Sequence, residues 1–111
     1  MKLAITTSEP GANAALDSHF GRARYFRIID TETGEQSEFD NASGVNATQG
    51  AGIQAAQALA RLGVEVVITG SVGPKAMSAL KAADIRIYSM SEGTSDQAAK
   101  AFSEGLLKEL A

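Results

Sequence analysis

The period of the apolar positions changes along the chain and divides it into elements. Lys2 to Thr7 is short, apolar and β-prone, and Pro10 and Gly11 break it, which predicts a first strand. Residues 8–23 follow as a long loop of small residues; loops of this length in a compact domain usually carry function. Arg24 to Asp30 alternates, with Phe26 and Ile28 on one face and Tyr25, Arg27 and Ile29 on the other, as a second strand does. Turn residues from Asp30 to Gly34 return the chain into a polar third strand, Glu35 to Phe39, suited to a sheet edge. Asp40 to Gln49 reads as a second polar loop.

Beyond that loop the spacing becomes helical. Residues 50–62 place Ile53, Ala56, Leu59 and Ala60 along one stripe, and Gly63 stops the helix. Val64 to Thr69 has the β-branched density of a buried parallel strand. A helix from Pro74 to near Asp84 carries Met77, Leu80 and Ala83 on its apolar side, with proline near the first helical position. Ile85 to Met90 gives a fifth strand. Thr94 and Gln97 have capping-box spacing before a last helix predicted to carry Ala99, Phe102, Leu106 and Leu110. The order β-β-β-α-β-α-β-α predicts an α/β fold: one three-layer α/β/α domain over residues 1–111, with a mixed five-stranded sheet.

Composition narrows the chemistry. The 111 residues include no cysteine and one histidine, His19, so disulfides, thiolate metal sites and cysteine nucleophiles are all excluded. A net charge of −3 and 5% aromatic residues argue against a nucleic-acid binder. No apolar run approaches a membrane span, and the first residues read as a strand rather than a secretory signal, so no membrane association and a cytoplasmic location are expected. The sequons at Asn41 and Asn46 then read as coincidental.

Several motifs fail as enzymatic sites. Gly50, Gly52 and Ala55 match G-x-G-x-x-A, but a polar loop precedes them and no acid ends the following strand, so close helix packing explains the glycines better than a dinucleotide does. The bare amides of that helix's start can still hold an anion. Gly70-Ser-Val-Gly73-Pro-Lys75 lacks phosphate-loop spacing, though its glycines lie at the carboxyl end of a parallel strand and Lys75 adds a positive charge there. No carboxylate set or serine triad is present, so no catalytic residue is assigned and the chain is read as a non-enzyme.

His19 remains. A lone loop histidine is ordinarily a solvated surface residue, here with Asp17 close enough in sequence to bond it. It is nevertheless the best soft-metal ligand in the chain, and only its neutral form ligates, so metal binding through it weakens as pH falls. Arg22 and Arg24 would favour an anionic ligand. Phe20 is suited to anchor the loop in the core, and Gly21 to permit the turn that aims His19 outward.

The ordered motifs "SHFGRARYFRIID" and "GAGIQAAQALARLGVEVVITGSVGPKAMSALKAADIRIY" resemble the dinitrogenase iron–molybdenum cofactor biosynthesis family, which includes NifX-like proteins and the carboxyl-terminal domain of NifB-like proteins. The likeness runs over about residues 1–107. It implies a ribonuclease H-like fold and a non-catalytic protein that binds or carries an iron–sulfur or iron–molybdenum cofactor, or a precursor. That cofactor would be cargo, not needed for folding, and cofactor-assembly proteins would be partners. It makes His19 the metal ligand, framed by Phe20 and Gly21, with Arg22, Gly50, Gly52, Gly70 and Gly73 lining the same edge. The lack of cysteine removes any thiolate-assisted binding that relatives use. Two other readings stay open: a small-anion or nucleotide module using helix N-termini, and a protein-interaction domain without a metal ligand. Neither ligand nor oligomeric state is fixed by the sequence.

Overall fold

The computed structural model describes residues 1–11, 13–42 and 50–110. Among them six strands and three helices follow one another: β1 (Lys2–Thr7), β2 (Tyr25–Asp30), β3 (Gln36–Asp40), α1 (Ala51–Arg61), β4 (Val66–Thr69), α2 (Pro74–Ala82), β5 (Arg86–Ser89), α3 (Ser95–Ser103) and β6 (Lys108–Glu109). The sheet order is β3-β2-β1-β4-β5-β6. β1 pairs antiparallel with β2 and parallel with β4; β4 and β5 are parallel, while β3 and β6 close the two edges antiparallel. The mixed sheet is therefore as expected, with six strands rather than five. Asn46 and the rest of the second polar loop beyond Ala42 lie outside the described residues.

Alternation along the central strands sends side chains to two cores. Ala4, Phe26, Ile28, Val67 and Ile87 face α1 and α2, where Ala55, Ala56, Leu59, Ala76 and Leu80 complete the first core. Leu3, Ile5, Val66 and Ile68 face Ala98 of α3 to form the second, with Tyr88 and Phe102 stacked edge-to-face beside it. The polar β3 is an exposed edge, as its composition predicts. The helical stripes hold in part: Ala56, Leu59 and Leu80 are buried in the first core as expected and Met77 packs against it. Ala60 and Ala83 are exposed and Ile53 is half-buried, while Ala55, Ala58 and Ala76 are buried.

All three helices end in the same way. The amide one residue past the cap bonds back to the last-but-one helical carbonyl, and the next amide reaches the carbonyl before it: Gly63 to Ala60 and Val64 to Leu59, Asp84 to Lys81 and Ile85 to Leu80, Gly105 to Phe102 and Leu106 to Ala101. Gly105, at φ 72°, thereby stops α3 at Ser103. The expected continuation to Leu110 does not occur. Leu106 is 72% exposed, and Leu110 turns back to pack on the first core. Residues 108–109 become β6, joined to β5 by Leu110 N–H donating to Ile87 O at 2.7 Å and by a two-point Arg86–Glu109 pair at 3.0 and 3.2 Å. The amino end of α3 carries the expected capping box between Thr94 and Gln97.

Loop 8–23 is stitched to the carboxyl ends of β1 and β4. Asp17 N–H donates to Thr6 O, and Thr6 Oγ1 donates to Asp17 O at 2.6 Å. Ser71 N–H and Oγ both donate to Ser18 O, while Phe20 N–H donates to Ser71 O. This knitting needs missing side chains. A Cβ on Gly70 would lie 2.8 Å from Ser18 O, and one on Gly21 would lie 2.7 Å from the Gly52 nitrogen at the start of α1. Gly21 thus serves close backbone approach, and its φ is not in the left-handed range. It also lies, as expected, within the turn at residues 20–22, next to the exposed ring of His19.

Two predictions follow from these contacts. Gly21→Ala forces backbone against backbone, so it should lose about 1–3 kcal/mol in urea denaturation, the usual cost of overpacking. Gly73→Ala meets nothing within 4 Å and should lose only what alanine costs at the cap of α2, less than about 1 kcal/mol. Equal losses would refute the steric account. The second concerns β6. The Arg86 guanidinium, bonded to Glu109, holds that carboxyl below its ordinary value of 4.5. A depressed carboxylate contributes stability above its unfolded value and loses it as pH falls through the folded one. Acidification below about pH 4.5 should therefore loosen β6, seen as faster exchange of the Leu110 amide, and Glu109→Gln should show the loosening already at neutral pH.

Candidate functional site

The topology puts β1 beside β4, so the loops leaving their carboxyl ends are neighbours, and the start of α1 lies against the first of them. Between these segments opens a groove of about 510 Å³. Its walls are His19 to Arg22, Gly50 to Ile53, and Ser71 with Gly73 to Ala76. Seven of the eight positions singled out in the sequence therefore meet here: His19, Phe20, Gly21, Arg22, Gly50, Gly52 and Gly73. The eighth, Gly70, sits behind the wall, where its lack of a side chain admits Ser18.

Each of these positions has a local cause. Phe20 is 1% exposed and packs its ring 5.5 Å from that of Phe26, so it does anchor the loop in the core. The imidazole beside it is 72% exposed. Gly50 caps α1 in the left-handed conformation, φ 76°. Gly52 lets α1 rest on α2, since a Cβ there would stand 2.6 Å from Ala76 Cβ. Asn41, 3% exposed, braces the loop by donating to Ala23 O at 2.9 Å and Gly21 O at 3.4 Å, a structural role for the asparagine of the first sequon.

The electrostatics of the groove favour an anion. α1 and α2 both begin at it, neither has a side-chain cap, and neither carries an acid in its first turn. Helix starts of this kind present bare amides and the positive end of the helix dipole. Arg22 and Lys75 line the same walls, and among the described lining residues none is acidic. Arg24 is not part of it: its guanidinium pairs with Asp40 at 3.2 Å and lies over the Tyr25 ring.

Two polar side chains stand beside the His19 ring. Asp17 Oδ1 accepts from the His19 backbone N–H at 2.9 Å and lies 3.6 Å from its Nδ1, while Ser18 Oγ is 3.3 Å from Nδ1. Among the described residues no three histidine, aspartate or glutamate side chains converge as a site for a bare metal ion. A metal here would have to bring most of its own ligands. Sequence reasoning did not find Ser71, whose backbone and hydroxyl hold both flanks of His19; no local signal marks a serine bonded across 53 positions.

Comparisons with known proteins bear on the whole chain. The sequence profile described as dinitrogenase iron–molybdenum cofactor matches residues 1–105. An uncharacterised protein of Methanocaldococcus jannaschii is 34% identical over 110 residues, covering 97% of this chain and 90% of its own. Among solved structures, the apo form of the orange protein from Desulfovibrio gigas superposes with a TM-score of 0.96 at 40% identity, over 99% of this chain and 92% of that one. A NifB-like protein from Thermotoga gives 0.88 at 37% identity, over 98% and 92%. None of the helices among the described residues is long and apolar enough to cross a membrane. The chain belongs to the dinitrogenase iron–molybdenum cofactor family.

Proposed function

We propose that this protein is a non-catalytic carrier that takes an anionic metal–sulfur cofactor, or a precursor of one, as cargo in the groove beside His19. The observation that carries the reading is the meeting of one imidazole with Arg22, Lys75 and two uncapped helix starts in a space lined by no described acid. An imidazole is a good ligand for iron and related metals. Bare amides and cations balance the charge of a sulfide-rich cluster without forming bonds to metal. A groove of about 510 Å³ falls in the range of small-molecule sites. The family is named for a cofactor of this chemical kind, and one close structural relative is described as an apo form.

In this reading His19 supplies the only protein–metal bond. When the cargo arrives capped by exchangeable thiolates, the imidazole nitrogen replaces one of them, and the displaced thiolate leaves and takes a proton from solvent to become free thiol. Phe20 and Gly21 fix the backbone of the ligand. Gly50, Gly52 and Gly73 keep the walls free of side chains, and Arg22 and Lys75 set the preference for negative charge. Assembly proteins that deliver or receive the cargo are the partners this role requires.

A second reading is favoured by the same helix starts: a small-anion or nucleotide module that uses amides of α1 and α2 and has no need of imidazole. Anaerobic titration with a thiolate-capped synthetic iron–sulfur cluster separates the two. Wild type should take up the cluster with release of thiol. His19→Ala should bind at least about tenfold more weakly, the lower bound for loss of even an indirect ligand partner. Added salt should weaken what uptake remains, since exposed charges are screened. Equal uptake by both proteins would remove His19 from the mechanism. A thermal shift with nucleotide that survives in His19→Ala would favour the anion module instead.

A further inference from the structure

We infer that Asp17 is a positioning residue that sets which nitrogen of His19 is free to ligate: its carboxylate holds the imidazole proton on Nδ1 and leaves the lone pair on Nε2. This rests on the reading of His19 as the cargo ligand.

A neutral imidazole has one nitrogen that donates and one that accepts, so a ligand histidine is defined only when its tautomer is defined. Here Ser18 and Asp17 both approach the ring at Nδ1. Ser18 Oγ, at 3.3 Å, can accept from Nδ1–H or donate to an Nδ1 lone pair, so it does not choose. Asp17 Oδ1, at 3.6 Å, can only accept. That separation is too long for a direct hydrogen bond, and the carboxylate acts through its charge. A lone pair on Nδ1 would face a negative oxygen, whereas a proton there is attracted to it. The hydroxyl then turns to accept, and Nε2 carries the lone pair.

The carboxylate is well held for this task. Its Oδ1 is fixed by the His19 backbone N–H at 2.9 Å. Its backbone is fixed on both sides by Thr6, a fully buried residue of β1 whose hydroxyl also lies 2.9 Å from that of Thr69 on β4. Ser18 and Phe20, on either side of His19, are both bonded to Ser71. Asp17, at 23% exposure, is thus tied to the two central strands, while the ring it faces is 72% exposed. Partners of this kind, which orient a ligand histidine without touching metal, typically change metal affinity by about 10–100-fold when removed.

The test reads the tautomer directly. Nitrogen chemical shifts of isotope-labelled imidazole, measured on the protein at a pH alkaline enough to keep the ring neutral, distinguish the protonated nitrogen from the bare one. Wild type should show Nδ1–H. Asp17→Asn keeps an oxygen for the His19 backbone N–H but loses the charge, so the population should move toward Nε2–H while the remaining amide spectrum stays in place. Ser18→Ala keeps the carboxylate and should stay Nδ1–H. With the thiolate-capped synthetic iron–sulfur cluster, Asp17→Asn should bind about 10–100-fold more weakly than wild type. Nε2–H in the wild type, an unchanged tautomer in Asp17→Asn, or a switch in Ser18→Ala would each overturn the assignment. A tautomer that moves with no change in cluster affinity would leave Asp17's placement of the proton standing and overturn ligation by His19.

Discussion

The site depends on backbone lying directly against backbone. Gly21 touches the first turn of α1 at the nitrogen and Cα of Gly52, and Gly52 in turn leaves α1 seated on Ala76 of α2. These contacts join, in one line, the loop after β1, the helix before β4 and the helix after it. At such distances a methyl group is already too large, so the arrangement is either formed in full or displaced. Close-packed interiors transmit such displacements rather than absorb them. The groove walls are therefore rigid at the point where the imidazole projects, although the imidazole itself is solvent-exposed.

That rigidity gives the charge pattern its meaning. Two helix starts, one arginine and one lysine would be a diffuse positive surface if their spacing were free. Fixed around one groove, with no described acid among the lining residues, they form a directed potential. Asp17 does not cancel it, because its carboxylate is turned to the His19 amide and the Nδ1 side of the ring. Arg24 is likewise spent on Asp40. The local ion pairs thus remove charges of both signs from the neighbourhood and leave the amide ends as the groove's main electrostatic feature.

Much of this was legible in the sequence, and the exceptions have particular causes. Strand alternation in β2, the β-branched run of β4 and the capping box at Thr94 each signal their element through local chemistry, and each formed. β6 was not legible, because Phe102, Leu106 and Leu110 keep helical spacing straight through a helix end. Gly105 ends the helix in the left-handed conformation, and the leucines beyond it serve different surroundings. At the site, His19, Phe20 and Gly21 were marked by their loop and by family resemblance, while Gly50, Gly52 and Gly73 converge on them only through sheet order. What the chain could not announce was contact across long separations: Ser71 on both neighbours of His19, Thr6 and Thr69 beneath Asp17, and Asn41 under Gly21. Serine and threonine near strand ends are common, and nothing local distinguishes those that tie two loops together.

On the proposed reading, the same features bear on why a carrier would use a single protein ligand. Several protein–metal bonds would hold a cofactor firmly and oppose its transfer, and the lack of cysteine rules out the strongest of them. On that reading, one imidazole held in tautomer by Asp17 would make a single bond that a competing ligand could replace in one exchange. The amide ends and cations contribute attraction that falls off gradually with distance rather than breaking all at once. On the proposed reading, selectivity for charge and ease of release come from different parts of the groove. The helix starts and basic side chains decide what enters, and the one nitrogen decides how it is held. A site rigid in its backbone and sparing in its bonds is consistent with both demands.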